Sequence, residues 1–156
     1  MSKSLKRVQR VLDDAGLKIE VLELGPETRT AQQAADAAGC GVDQIAKSII
    51  FQGTQSGAIY LFVTAGGNQV DVAKAKQIAG EDLGKADAAT IRAKTGFAIG
   101  GVAPIGHLTP SRGFLDPKLL EFAQVYAAAG TPRHIFAITP RELQEISTCQ
   151  PVDFTS

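Results

Sequence analysis

The sequence predicts a single globular domain, spanning residues 1–156, that contains both helices and strands. Its length is enough to bury one hydrophobic core, and no linker interrupts it. Residues 4–15 repeat apolar side chains at the spacing of an amphipathic helix, whereas residues 45–51 form a β-branched run typical of a strand. Hydrophobic residues make up 44% of the chain and charged residues 21%, which excludes a disordered protein.

Five helices are expected from apolar spacing and from residues that favour helix ends. The predicted ranges are 4–15, 31–39, 72–79, 88–95 and 140–148. Four of these helices follow a residue that caps helices well: Thr30, Asp71, Asp87 and Thr139. Gln33 completes a capping box with Thr30. Glycines at positions 16, 39 and 96 supply the predicted ends of three helices.

Strands are expected between these helices. The predicted ranges are 18–24, 45–51, 58–64, 122–126 and 134–138. The second and third of these are predicted to form a hairpin across residues 54–57. Gly25 and Pro26 end the first strand, residues 80–85 form a loop or a short strand, and residues 118–120 form one helical turn.

The overall charge excludes several classes of partner. Sixteen Lys and Arg residues balance sixteen Asp and Glu residues, so the chain has no general attraction for DNA or for anionic membranes. A nucleic-acid partner must therefore be held by local contacts. The sequence has neither the apolar segment of a signal peptide nor an apolar run that could span a bilayer, and we expect a cytoplasmic protein without a membrane partner.

No cofactor or metal is expected either. Cys40 and Cys149 lack the spacing of metal ligands and lie near no obvious base, so two reduced, unreactive thiols are predicted. The glycines at positions 100, 101 and 106 form neither a phosphate-binding Walker loop nor a dinucleotide fingerprint, because the Gly-Lys-Ser/Thr ending and the acidic partner are missing.

The segment of residues 97–107 is the first candidate for a binding site. It begins with an apolar run, predicted as a strand, and continues into Gly100, Gly101, Pro104 and Gly106. Glycines leave backbone N–H groups unshielded, so a carbonyl or anionic oxygen can approach them closely. For the paired glycines alone, a tight turn without a ligand is the alternative interpretation.

Lys47 is the second candidate, because it lies inside an apolar strand. Strand alternation places it on one face with Ile45, Ile49 and Phe51. A lysine on such a face must find a partner or lose its proton. Two interpretations remain open: a side chain that extends out of the strand towards solvent, and a positive charge held in a cleft to meet a negative ligand.

Four motifs occur in an order that is more specific than any one of them. They are Lys47 in an Ile-Ala-Lys-Ser-Ile-Ile-Phe run, Asn68-Gln69-Val70-Asp71, the segment from Gly100 to His107, and Ala129-Gly130-Thr131-Pro132. Together they resemble the YbaK/ProX family, the free-standing relatives of the editing domain of bacterial prolyl-tRNA synthetase. The resemblance extends over nearly the whole chain.

The resemblance implies an α+β fold with a central mixed, barrel-like sheet flanked by helices. It also implies a trans-editing aminoacyl-tRNA deacylase of the ProXp type, which hydrolyses mischarged tRNA(Pro) without a metal or cofactor. The expected partners are the acceptor end of tRNA(Pro) and prolyl-tRNA synthetase.

The same resemblance assigns expected roles to individual residues. Lys47 would hold the phosphate or ribose of the terminal adenosine, and the N–H of Gly100 or Gly101 would polarise the ester carbonyl. The expected substrate-binding residues are Val102, Ala103, Pro104, Ile105, Gly106, His107, Gly130, Thr131 and His134. Because an aminoacyl ester is already activated, positioning and oxyanion stabilisation suffice, and no catalytic triad is evident.

The expected substrate is a small amino acid such as alanine or 2-aminobutyrate, removed by a second, smaller sieve that excludes proline by shape. Family members that remove cysteine carry a glycine- and lysine-rich loop followed by an aspartate, whereas this chain has Gly130-Thr131-Pro132-Arg133-His134. Cys-tRNA(Pro) is therefore the alternative substrate. Two alternative functions remain open: a tRNA- or synthetase-binding module without turnover, and a hydrolase for a small acyl ester unrelated to tRNA.

The two histidines have two interpretations each. His134 shares a predicted strand face with Phe136 and Ile138, which slightly favours a packed core histidine over a contact with the substrate. His107 follows a loop glycine and is either an exposed loop residue or a contact at the pocket rim.

Overall fold

The structure is a computed structural model that describes residues 2–25 and 30–156. Within these residues, the helices are α1 (Lys3–Asp14), α2 (Ala31–Ala38), α3 (Val72–Ala79), α4 (Ala88–Thr95) and α5 (Pro140–Ser147). The strands are β1 (Val21–Glu23), β2 (Ile45–Gly53), β3 (Ile59–Ala65), β4 (Leu83–Gly84), β5 (Arg112–Leu115), β6 (Val125–Ala128), β7 (His134–Ile138) and β8 (Gln150–Pro151). Short 3₁₀ turns cover Val42–Gln44 and Pro117–Glu121.

The eight strands form one mixed sheet in the order β1-β7-β6-β2-β3-β5-β8, with β4 paired to β2 beside this path. β2 and β3 form the predicted antiparallel hairpin, whereas β2 with β6 and β3 with β5 run parallel. The expected α+β fold with a mixed sheet and flanking helices is confirmed. In the described part of the chain the sheet is not closed, because β1 and β8 form its two ends.

The helix ends follow the predicted capping residues. The Thr30 hydroxyl accepts a hydrogen bond from Gln33 N–H, and the Gln33 side chain accepts one from Thr30 N–H, which completes the capping box. The carboxylates of Asp71 and Asp87 and the hydroxyl of Thr139 cap α3, α4 and α5 in the same way. These signals are local, so they could be seen in the sequence.

Strand β3 divides the core between the two faces of the sheet. Leu61 and Val63 face a cluster that contains the buried stripe of α1, whereas Tyr60 and Phe62 face a cluster around α3. All seven residues of β3 are buried, so the strand is the centre of the fold. No helix in the described residues is long and apolar enough to cross a membrane.

The predicted strand at residues 97–99 is wrong. Phe97 is fully buried, and the chain then turns, since Gly101 N–H donates to the carbonyl of Ala98 at 3.0 Å. Arg7 of α1 holds the end of the segment by donating from Nε to Gly106 O at 2.6 Å. Of this apolar run only Phe97 is buried, beneath Arg7 of α1, whereas Ile99 is 58% exposed, and none of the three residues pairs in the sheet.

Other strand boundaries also differ from the prediction. β1 is shorter than residues 18–24, and β6 begins at Val125 and not at residue 122, because the 3₁₀ turn before it extends to Glu121. β5 and β8 were not predicted, since each is short and forms only by parallel pairing with a distant segment. Pro26, predicted to end the first strand, lies outside the described residues.

Candidate active site in a gap of the sheet

Strand β2 has an open edge in its middle. One edge pairs with β3 throughout, but the other pairs with β6 only at Ile45 and Ala46 and with β4 only at Gln52 and Gly53. Between these points β2 has no partner strand among the described residues. Gly53 N–H donates to a residue on the β3 side, so by alternation the backbone groups of Ser48 face the open edge.

A cavity of about 320 Å³ lies at this gap. Its walls come from β2, from the diverging strand β6, from the first turn of α2 and from the two loops that begin at residues 100 and 131. Most of the wall is apolar, including Ala34, Ile49 and Ala128. Five residues predicted from the sequence line this cavity: Lys47, Gly100, Val102, Thr131 and His134.

Lys47, on β2, lines the cavity. Its Nζ donates to the carbonyl of Gly66 at 3.1 Å. The pKa of Lys47 is lowered because partial burial penalises the charged ammonium, while the carboxylates of Asp43 and Asp116 oppose that shift. The ammonium is thus held at one point by the backbone, with further donor capacity for a ligand.

The glycine loop lines the same cavity as this lysine. Gly100 has a φ of 89°, a conformation that favours glycine, and it forms the turn in which Gly101 N–H donates to Ala98 O. The N–H of Gly101 is therefore already used. The N–H groups of Gly100 and Val102 have no hydrogen-bond partner among the described residues, which makes them the better candidates for polarising a carbonyl.

A close contact joins the glycine loop to the loop before β7. A Cβ atom placed on Gly101 would lie 2.7 Å from backbone atoms of Thr131, so only glycine allows this approach. The hydroxyl of Thr131 lies 2.6 Å from Nδ1 of His134 and also accepts from Arg133 N–H. His134 is half-buried in the cavity wall, unlike the fully buried Phe136 on the same strand, so it is not a packed core histidine.

Four predicted pocket residues lie elsewhere. Pro104, Ile105, Gly106 and His107 line a separate depression of about 210 Å³ near the end of α5. His107 is held between the carbonyl of Ala103, 2.6 Å from Nε2, and the hydroxyl of Ser111, 3.0 Å from Nδ1. Burial lowers the pKa of His107. A neutral ring that donates from Nε2 and accepts at Nδ1 fits both contacts.

Two further predicted residues, Ala103 and Gly130, do not line the cavity but pack into the interior or against α1. Ala103 is completely buried. Gly130 accepts a hydrogen bond from the Ser4 hydroxyl at 2.8 Å, and a Cβ on Gly130 would lie 2.8 Å from the Ser4 carbonyl. The structure therefore places Gly130 against α1 and not in the cavity wall. No cluster of His, Cys, Asp or Glu that could hold a metal ion occurs in residues 2–25 and 30–156.

Residues 25–146 match the family model of the aminoacyl-tRNA editing domain. The chain belongs to this family. The match confirms the resemblance to the YbaK/ProX family, and it includes every residue that lines the cavity except Leu24.

Individual relatives agree with this assignment. The uncharacterised protein YwhH of Bacillus subtilis is 32% identical over 144 residues, which cover 92% of this chain and 91% of YwhH. A crystal structure solved as a candidate trans-editing enzyme for prolyl-tRNA synthetase is 44% identical, with a TM-score of 0.93 over 100% of this chain and 99% of the other. A scaffold protein used for computational epitope grafting is 43% identical, with a TM-score of 0.94 over the same shares.

Two features of this editing domain were missed in the sequence. Asp116 is only 2% exposed, and its carboxylate accepts from Ala65 N–H, from Asn68 Nδ2 and from Lys118 N–H at 2.9–3.1 Å. It thus fixes the turn that contains Gly66, the partner of Lys47. An Asp before a proline suggests a helix cap, but nothing in the sequence connects it to a turn about 50 residues earlier.

The second missed feature is Ser48, the neighbour of Lys47 in the cavity wall. Its hydroxyl is buried and has no hydrogen-bond partner among the described residues. A buried hydroxyl without a partner is uncommon in folded proteins. A serine inside a strand gives no such signal in the sequence, because the lack of a hydrogen-bond partner depends on the gap between β2 and β6.

Proposed function

We propose that this editing domain is a trans-acting deacylase that hydrolyses the ester of tRNA(Pro) mischarged with a small amino acid such as alanine or 2-aminobutyrate. One observation carries the proposal: the Lys47 ammonium and the unpaired N–H groups of Gly100 and Val102 border one cavity. A cation and neutral donors in a largely apolar site suit a substrate that joins a phosphodiester chain to an acyl ester.

Lys47 would bind the acceptor end of the tRNA. Its ammonium bonds to the neutral carbonyl of Gly66 and has no ion pair among the described residues, so an anionic phosphate or a ribose oxygen can complete its coordination. Partial burial strengthens such a contact, because the charge is less screened than on the open surface.

The glycine loop would stabilise the transition state. Water adds to the ester carbonyl carbon, the acyl C–O bond breaks, and the proton from water passes to the departing ribose oxygen. Negative charge develops on the carbonyl oxygen during addition, where donors held at Gly100 and Val102 would stabilise it. Because an aminoacyl ester is reactive, a strong base is not required, and the neighbouring ribose hydroxyl can orient the water.

Thr131 and His134 would complete the polar side of the cavity. The 2.6 Å contact between Thr131 Oγ1 and His134 Nδ1 fixes the imidazole ring, and His134 Nε2 has no partner among the described residues. The ring can therefore accept or donate a hydrogen bond to the amino group or to the water.

Selectivity would come from the apolar wall. The cavity volume of about 320 Å³ is near the lower limit for small-molecule sites. Part of this volume must hold the ribose, which leaves room for a small side chain. One methylene is worth only about 1–3 kcal/mol to a synthetase, so a separate sieve that removes small amino acids improves fidelity. We expect the protein to work in the cytoplasm with prolyl-tRNA synthetase as a partner.

Release of amino acid from tRNA(Pro) tests this proposal. The tRNA is charged separately with alanine, 2-aminobutyrate, cysteine, serine and proline, and each is incubated with the wild-type protein. We expect hydrolysis of alanine or 2-aminobutyrate while proline is retained. Preferential release of cysteine would identify Cys-tRNA(Pro) as the substrate instead. Release of serine alone would contradict the predicted selectivity for alanine or 2-aminobutyrate. No release from any of them would contradict the enzymatic function.

A further inference from the structure

Helix α1 carries a ridge of positive charge on one side. Lys3, Lys6, Arg7 and Arg10 follow the i, i+3, i+4, i+7 spacing of one helical face, and they line a common shallow groove of about 240 Å³. We call these four residues the basic ridge. No acidic residue occurs between positions 3 and 10, so the ridge is a local exception in a chain whose net charge is zero.

The four cations do not have the same role. Arg7 is used inside the protein, since it donates to Gly106 O and Thr95 O and covers the ring of Phe97 at 4.6 Å. Lys3, Lys6 and Arg10 are exposed and form no ion pair among the described residues. The nearest acidic residues along α1, Asp13 and Asp14, follow Arg10 by one turn and share a second groove with Lys6 and Arg10, but neither forms an ion pair with them, and Asp13 accepts a hydrogen bond from Gln9.

The N-terminal end of α1, from which the ridge starts, lies beside a loop of the candidate active site. Ser4 bonds to Gly130, and Ser2 and Leu5 of the same end of α1 share a depression with Thr131 and His134. The last two residues also line the cavity at the sheet gap. Only the loop before β7 therefore lies between the cavity and the N-terminal end of α1.

We propose that the basic ridge binds the phosphates of the tRNA acceptor stem while the terminal adenosine occupies the cavity. This rests on the proposed function for the identity of the ligand. From Lys3 to Arg10 the helix rises about 10 Å, which matches roughly three phosphates along one strand. Three exposed cations without protein partners provide the local attraction that a neutral protein needs to hold a polyanion.

The test compares two triple variants that remove the same number of charges. The ridge variant is Lys3→Gln/Lys6→Gln/Arg10→Gln, which leaves Arg7 and its internal contacts intact. The control is Lys18→Gln/Lys85→Gln/Arg141→Gln, whose three side chains are exposed and line neither the ridge groove nor the cavity. Binding of uncharged tRNA(Pro) is measured by fluorescence anisotropy at several salt concentrations, together with kcat and KM for deacylation.

We expect the ridge variant to bind on the order of tenfold more weakly at 0.1 M salt and to lose about two to three from the slope of log K against log salt. Its KM should rise while kcat is retained, and the control should match wild type. The single variants Lys6→Gln and Arg10→Gln should each show a smaller effect of the same kind, which separates lost contacts from misfolding. A ridge variant that binds with the same affinity and slope as the control would overturn the proposal.

The binding measurement also separates this proposal from the proposed function. If wild type hydrolyses mischarged tRNA(Pro) but the ridge and control variants behave alike, the ridge proposal fails alone. If wild type binds tRNA through the ridge but hydrolyses no aminoacyl ester, the ridge proposal stands and the deacylase function fails.

Discussion

Lys47 is a charged residue in otherwise apolar surroundings. It occupies a strand whose neighbours on the same face are apolar, and burial lowers its pKa. The protein offers the ammonium one carbonyl and two carboxylates at longer range, and leaves it at the wall of a cavity. Such a charge is poorly satisfied without a ligand, which is why it is the best indicator of the site.

Asp116 provides a prediction at the residue scale. Asp116→Asn removes the buried charge and replaces one carboxylate oxygen by an NH₂ group, so all three donors lose a charged acceptor and at least one of them faces another donor. We expect a loss of about 2–3 kcal/mol in the free energy of unfolding, measured by urea denaturation. Because the turn at Gly66 positions Lys47, deacylation by the folded variant should also slow.

A matched change distinguishes the buried carboxylate from acidic residues in general. Glu145 is exposed on α5 and forms no side-chain hydrogen bond or ion pair with the described residues, so Glu145→Gln should leave both stability and activity unchanged. Equal stability of Asp116→Asn and wild type would show that the hydrogen bonds of Asp116 do not hold this turn.

At the scale of elements, the site depends on two loops that pack against each other. The glycine loop approaches the Thr131 backbone so closely that a side chain at position 101 has no space. Arg7 and His107 fix the other end of the glycine loop through carbonyl groups. The loops are therefore held from both sides.

Gly101→Ala tests this packing. The added methyl group would lie 2.7 Å from Thr131 backbone atoms, so one loop must move. We expect kcat to fall at least about tenfold, since a displacement near 1 Å at reacting groups is costly. The control is Gly84→Ala, where the nearest atom is a Thr54 methyl group at 3.6 Å and the substitution should be tolerated.

Retention of full activity by Gly101→Ala would mean that the contact between the loops does not shape the site. Loss of activity in both glycine variants would instead indicate a general effect of removing glycine from this fold.

Elements with local signals could be predicted, and elements that depend on distant contacts could not. The helices capped by Thr30, Asp71 and Asp87 were predicted correctly because each cap acts within four residues. β5 could not be predicted because its four residues form a strand only through parallel pairing with β3. Residues 97–99 resembled a strand because a short apolar run gives the same signal whether or not it pairs in a sheet, although only Phe97 of the three is buried.

The site shows the same distinction. Lys47 and the paired glycines could be found because each conflicts with its local pattern. The roles given to Pro104, Ile105, Gly106 and His107 assumed that neighbours in sequence share one pocket, but these residues line a separate depression. The surroundings of Asp116 and Ser48 depend on segments distant in the sequence, so no local pattern could indicate them.

At the scale of the whole molecule, the cavity exists because the sheet is incomplete. β6 leaves β2 after two residue pairs and β4 joins it only at the far end, so the middle of a central strand is open. The open stretch lies between the parallel pairing of β2 with β6 and the antiparallel pairing of β2 with β4. The rigid core around β3 supports one wall of the cavity, and short loops with small residues form much of the other.

Acid stability provides a prediction for the whole molecule. The Glu81 carboxylate accepts hydrogen bonds from the Ser56 hydroxyl and N–H, from the Tyr60 hydroxyl and from Gln55 N–H, which lower its pKa to about 2 from an ordinary 4.5. Since the pKa is lower in the folded state, this stabilisation is present above about pH 4.5 and is lost as the pH falls towards 2.

Thermal unfolding of Glu81→Gln between pH 7 and pH 2 checks this expectation. The variant should be less stable than wild type at pH 7, and the difference should shrink as the pH falls from 4.5 towards 2. A difference in unfolding temperature that stays constant over this range would contradict the assigned cause.

The central claim, that the cavity at the gap between β2 and β6 is the site of ester hydrolysis, is tested most directly by single-turnover deacylation with Lys47→Met. Methionine preserves much of the apolar stem, and the exposed Lys85→Met serves as the control, with thermal unfolding to verify that both variants are folded. We predict that Lys47→Met releases alanine from tRNA(Pro) on the order of 100-fold more slowly than wild type, while Lys85→Met matches it. Hydrolysis by folded Lys47→Met at the wild-type rate would place the reaction elsewhere on the protein.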